Sequence, residues 1–164
     1  MMFQNQGITW SGMVKNNTDI QEVYKRSDTV PIGIFKHAPN NTISIMAKNR
    51  LERVWDIAPD MIEMYYLDAG TYRSAATIVE HTLGVRHEAP QLIVLYKDNV
   101  IYHASMTAID VTELRAALEK HLPPPPASDE AAPETETPTN ETPKVIQTTN
   151  LPSFLMPNND QNAQ

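Results

Sequence analysis

The sequence contains no cysteine, so disulfide cross-links, thiolate catalysis and cysteine-ligated zinc are excluded for this chain. Glycine is scarce as well: there are five, none beyond Gly84. Neither a Gly-x-Gly-x-x-Gly run nor a phosphate-loop lysine motif is present, and a nucleotide cradle lacks its usual sequence support. No apolar stretch approaches the roughly 18 residues of a membrane span. The first residues, with Gln4, Asn5, Gln6, Asn16 and Asn17, lack the apolar centre of a signal peptide, which gives a cytoplasmic expectation. Basic charge is also short. Thirteen Lys and Arg face 20 Asp and Glu, a formal net charge of −7, which argues against electrostatic capture of nucleic acid or of an anionic membrane. The histidines at 37, 81, 87, 103 and 121 form no His-x-x-x-His or His-Glu-x-x-His pair, so no metal is expected. A site assembled from His37 and His87 across elements is the minor alternative.

The 164 residues suit one domain of ordinary size plus a tail. Nine of the 13 prolines lie between Pro123 and Pro157, and the change of character falls just after Leu122. Residues 1–122 read as the folded domain. Residues 123–164 carry six acidic side chains against Lys144 alone, and their Pro/Glu/Thr-rich composition buries too little surface to offset chain ordering. A disordered acidic tail is expected there. Leu151-Pro152-Ser153-Phe154-Leu155-Met156 departs from it as an apolar patch that a partner groove could accept.

Within the domain, Ile8 and Trp10 suggest an edge strand. Thr18 to Gln21 reads as a capping box opening a short helix with Ile20, Val23 and Tyr24 on one face. Ile32, Ile34 and Phe35 make a buried strand that ends at Lys36-His37. After a polar turn, Ile43, Met46, Ala47, Leu51, Val54 and Trp55 follow helical spacing, with Asn40 or Asn41 as cap and Pro59 as terminator. Met64 to Leu67 is a second strand, and Tyr72, Ala75, Ala76, Val79 and Leu83 mark a second long helix closed by Gly84. Gln91 to Tyr96 and Val100 to Ala104 form a hairpin around Lys97-Asp98-Asn99. Asp110 and Glu113 open a last helix with Val111, Leu114, Ala117, Leu118 and Leu122 as its apolar stripe. This order predicts an α/β fold with a central mixed sheet flanked by helices, the element order of a thioredoxin-like domain.

Taken together, Phe35-Lys36-His37, Ile43-Ser44, Tyr65-Tyr66-Leu67-Asp68, Tyr72-Arg73-Ser74, Val85-Arg86-His87-Glu88-Ala89-Pro90-Gln91 and Tyr102-His103-Ala104-Ser105 resemble the monothiol bacilliredoxins. These are bacillithiol-system redox proteins of the thioredoxin superfamily, and the resemblance spans about residues 18–120. It implies a thiol-disulfide oxidoreductase whose cysteine falls on Asn41, with the family's next proline on Thr42 and its Ile-Ser on Ile43-Ser44. An amide forms no thiolate and carries no mixed disulfide, which implies a redox-inactive, pseudo-oxidoreductase member. The resemblance further implies a protein or low-molecular-weight thiol partner and no cofactor, and nothing in the sequence assigns an oligomeric state.

Candidate binding residues are His37, Asn41, Thr42, Ser44, Glu88 and Pro90. Pro90 matches the superfamily's cis-proline, or it only shapes a strand entrance. Ser44 reads as a first-turn serine bonding local backbone. Its competing reading is a nucleophile of a non-thiol enzyme with His37 and Asn41 around it. A further alternative is an adaptor that binds partners through its acidic tail.

Overall fold

The computed structural model describes residues 7–124. Among these residues five strands and four helices follow in the order β1 (Trp10–Met13), α1 (Asn17–Arg26), β2 (Ile32–His37), α2 (Thr42–Val54), β3 (Glu63–Asp68), α3 (Arg73–Leu83), β4 (Gln91–Tyr96), β5 (Asn99–Ser105) and α4 (Val111–His121). A 3-10 turn at Met106–Ala108 separates β5 from α4. The sheet order is β1-β3-β2-β4-β5, with β1, β3 and β2 parallel and β4 and β5 antiparallel. The expected edge strand therefore exists, shifted to residues 10–13. The tail and its apolar patch lie outside the described residues.

Both central strands, β2 and β4, are buried along their whole length, which is why they read as continuous apolar runs. Alternation along them feeds two cores. Ile32, Ile34, Ile93 and Leu95 meet Ile20 and Val23 of α1 and Ala75, Ala76 and Val79 of α3 on one face. On the other, Phe35, Met64, Leu92 and Val94 meet Ala47 and Leu51 of α2 and Leu114 and Leu118 of α4. Gly33 lies on the second of these faces, and a Cβ there would collide with the Met64 side chain and crowd Ile62. We expect Gly33→Ala to destabilise the fold by about 1–3 kcal/mol through overpacking. Urea denaturation measures this, and an unchanged midpoint would show that Met64 repacks freely.

The local signals explain most element ends. Gly84 closes α3 with φ 67°, a left-handed value suited to glycine, and its N–H reaches the Glu80 carbonyl. Asp110 caps α4 by accepting from the Glu113 N–H at 3.0 Å. Lys97 and Asp98 form a two-residue hairpin loop with φ of 49° and 62°, so Asn99 belongs to β5 and not to the turn.

Three expectations are corrected. Helix α1 starts earlier than Thr18: Asn16 is its cap and accepts from the Asp19 N–H, while Asp19 takes the Lys15 N–H. An extended asparagine ahead of the first turn outcompetes a threonine already inside it. Helix α2 stops at Val54, five residues before Pro59, because Trp55 turns extended and inserts its ring into the core. The buried face of α2 is Ser44, Ala47 and Leu51, whereas Ile43, Met46 and Val54 are exposed, Met46 by 65%. Small residues let the helix approach the sheet, and the cap at Asn41 fixes its phase, so the bulky apolar side chains face outward.

Candidate functional site

Strand β2 ends at His37, and the chain turns through Ala38-Pro39-Asn40 before α2 begins. The turn is closed by the Asn41 N–H donating to the Ala38 carbonyl at 2.9 Å. Pro39 suits the second position of such a turn because its φ is already set. Asn41 is exposed and extended, and its Oδ1 accepts from the Ser44 N–H at 3.0 Å. The amide thus satisfies one of the helix donors that otherwise lack a partner. Thr42, the first helical residue, is exposed beside it.

Beneath this entrance lies a closed polar contact. Ser44 is fully buried, and its Oγ accepts from the Ala38 N–H at 2.9 Å and lies 2.8 Å from His37 Nδ1. The hydroxyl, with one lone pair engaged by the Ala38 N–H, keeps both a proton and a second lone pair for Nδ1, so the contact joins the helix to the strand end in either imidazole tautomer. Burial, then Lys48, holds the His37 pKa below its ordinary value, against the opposing fields of Asp68 and Glu52. His37 stacks on Phe35 at 6.0 Å and tilts against Tyr66 at 5.6 Å, and Trp10 meets Tyr66 edge-on at 5.7 Å. The Ser44 hydroxyl and His37 Nδ1 are committed to holding the turn.

Pro90 enters from the neighbouring strand. The antiparallel register pairs Lys36 with Gln91, which carries Pro90 opposite His37 at the same end of the sheet. The Ala89–Pro90 bond is cis, and the Pro90 carbonyl accepts from the Met106 N–H at 3.0 Å. Ile43 and Met46 in the first turns of α2 are exposed, as is Met106, which follows the Ser105 paired with Gln91. Arg50 of α2 ties that turn down through the Thr107 and Ile109 carbonyls.

The structure therefore gathers His37, Asn41, Thr42, Ser44 and Pro90 at the C-terminal end of β2. Glu88 is exposed on the segment leading to Pro90. His87 does not join His37: its Nδ1 faces Lys36 Nζ at 3.4 Å, on the other side of the strand from the Phe35–His37 stack. Among the described residues no group of three or more His, Asp or Glu side chains converges as a metal site. Asp68, at the end of β3, closes its own turn by accepting from the Gly70 and Thr71 N–H groups and the Thr71 hydroxyl. Burial raises its pKa, yet these bonds outweigh it and leave the carboxyl below the usual range. Sequence patterns miss Lys36, which is fully buried. Its signal was a lysine inside the apolar run of a central strand.

A parallel β-α-β unit joined to an antiparallel hairpin, with a helix starting at the end of the central strand opposite a cis-proline, defines the thioredoxin fold. Solved structures agree. A protein with a thioredoxin fold superposes with a TM-score of 0.56 at 19% identity, covering 71% of this chain and 97% of that one. A thioredoxin from Malassezia sympodialis gives 0.53 at 18% identity over 71% and 92%. One from Fasciola hepatica gives 0.52 at 14% over 67% and 98%. Residues 13–114 match the monothiol bacilliredoxin family BrxC, and the chain belongs to that family. It does so without a cysteine. Among the described residues no helix is long and apolar enough to cross a membrane.

Proposed function

We propose that this chain is a redox-silent bacilliredoxin that acts in the cytoplasm by binding or regulation. It would engage a protein or low-molecular-weight thiol partner of bacillithiol-linked redox homeostasis without exchanging disulfides. The observation that carries this is the side chain of Asn41. At the position where the family resemblance puts the cysteine, an amide caps the helix and leaves the surrounding fold complete. Exposed Thr42, Ile43 and Met46 in the first turns of α2 offer a partly apolar surface that an extended partner could cover.

Two measurements test the reading. Intact-mass analysis after incubation with an oxidised low-molecular-weight thiol should show the unmodified mass, and any covalent adduct would end the proposal. Partners recovered with the full chain should be lost with Met46→Glu, a 65% exposed position whose substitution leaves the core untouched. They should be kept when residues 123–164 are removed. Loss on removing those residues, with Met46→Glu still binding, would favour the tail-borne adaptor instead.

A further inference from the structure

Lys36 sits on a central strand, its side chain fully buried, and it makes no ion pair among those formed by the described residues. An ammonium has only donors, so the nitrogen facing it, His87 Nδ1 at 3.4 Å, must be an acceptor. That requires a neutral His87 imidazole with its proton on Nε2. A second tether holds the same segment one residue earlier, where Gln91 Nε2 donates to the Arg86 carbonyl at 2.9 Å and to Ser105 Oγ at 3.3 Å. Gln91 is itself 1% exposed, and its Oε1 has no partner. Release of the segment would give that orphan oxygen water, so the closed state is not held at every polar atom.

We propose that Lys36 and His87 form a proton-sensitive latch that holds the segment 85–89 against the sheet and releases it when His87 takes up a proton. Protonation puts an N–H on Nδ1 and sets two cations face to face. Lys36 is anchored in the core and cannot retreat, whereas His87 is exposed and belongs to a segment outside any helix or strand, so the segment moves. The charged groups acting on the imidazole are Lys36 from β2, Glu80 from α3 and Glu88 from its own segment; β4 meets the segment through the neutral Gln91 at the Arg86 carbonyl. The two carboxylates favour the cationic form. Burial and then Lys36 oppose them and prevail, holding His87 below its ordinary value.

The direction follows by linkage. A histidine whose closed-state pKa is depressed contributes stability that is fully present above its open-state value, ordinarily about 6.5, and is lost as pH falls. At pH 5.5 opening is promoted by at most about tenfold, the limit for an imidazole that stays neutral when closed. The latch operates whether or not a partner binds near Pro90.

Hydrogen exchange of the Gln91 side-chain amide, followed by NMR on the full chain and corrected for the chemical rate, reads the opening directly. Between pH 7.5 and 5.5 the corrected rate should rise several-fold, while the Ile34 amide in the centre of β2 stays unchanged. His87→Gln keeps an acceptor and does not titrate, so it should abolish the rise; Lys36→Met should shrink it. A flat wild-type profile, or a rise that survives in either variant at full size, would overturn the latch.

Discussion

Replacing Lys36 by methionine should raise the stability of the protein at pH 7 by about 3 kcal/mol. The ammonium is wholly removed from water, and burial lowers its pKa from 10.5 to about 8 against the opposing fields of Glu80 and Glu88. Every tenfold change in the protonation equilibrium is worth about 1.4 kcal/mol, here in favour of the neutral amine. At pH 7 the lysine is charged in both folded and unfolded states, so the full cost of burying the charge is present. Methionine keeps an unbranched apolar stem of similar length and removes the cation, at the cost of the one contact to His87 Nδ1.

The pH dependence gives the sharper test. Between about pH 8 and 10.5 the folded lysine has lost its proton and the unfolded one has not, so the unfolded state binds more protons and stability rises with pH. Tyr65, Tyr66 and Tyr102, whose pKa values are raised chiefly by burial, give the opposite slope as they ionise. The difference between wild type and Lys36→Met isolates the lysine: the variant's advantage should be largest at pH 7 and vanish near pH 10.5. Urea unfolding at a series of pH values measures it. A variant less stable than wild type at pH 7 would mean that the hydrogen bond to His87 outweighs the burial of the charge.

Most of the fold was legible because its signals are local. Caps at Asp110 and Gly84, the hairpin at Lys97-Asp98 and the unbroken apolar runs of β2 and β4 each depend on a few adjacent residues. Helix α2 was misphased for a physical reason. Counting hydrophobicity favours Ile43, Met46 and Val54, yet closeness to the sheet selects Ser44 and Ala47 for their size. At the site, Asn41, Ser44 and Pro90 could be named from the family resemblance. The bond between Ser44 and His37 could not, because it joins a helix to a strand end and depends on the turn between them. Lys36 was hidden more deeply: its partner lies 51 residues away, and no periodicity connects β2 with the segment after α3.

Asn41→Cys should convert a protein that forms no adduct into one that takes up one low-molecular-weight thiol per chain. The new sulfur would stand at the N-terminus of a 13-residue helix, where the free N–H groups and the dipole favour a negative charge. Lys48, further along α2, and the buried Lys36 add positive charge to the same end of the sheet. The thiol should therefore titrate below the roughly 8.5 of free cysteine. Its thiolate attacks one sulfur of the oxidised thiol, forms the mixed disulfide and expels the other sulfur as a thiolate, so electrons and atoms balance without a second cysteine. Stability supplies an independent readout. A thiol is a poor replacement for the Asn41 cap, at a cost of about 1 kcal/mol, whereas a thiolate can accept the Ser44 N–H. Because the folded pKa is depressed, the variant's stability should be lowest under acid conditions. It should rise through the folded pKa and level off above about 8.5. A cysteine that titrates at about 8.5 with stability flat over the same range, or higher with stability falling, would show that Thr42 in place of the family's proline has changed the entrance itself. In that case the loss of redox chemistry would reside in the backbone as well as in the missing sulfur.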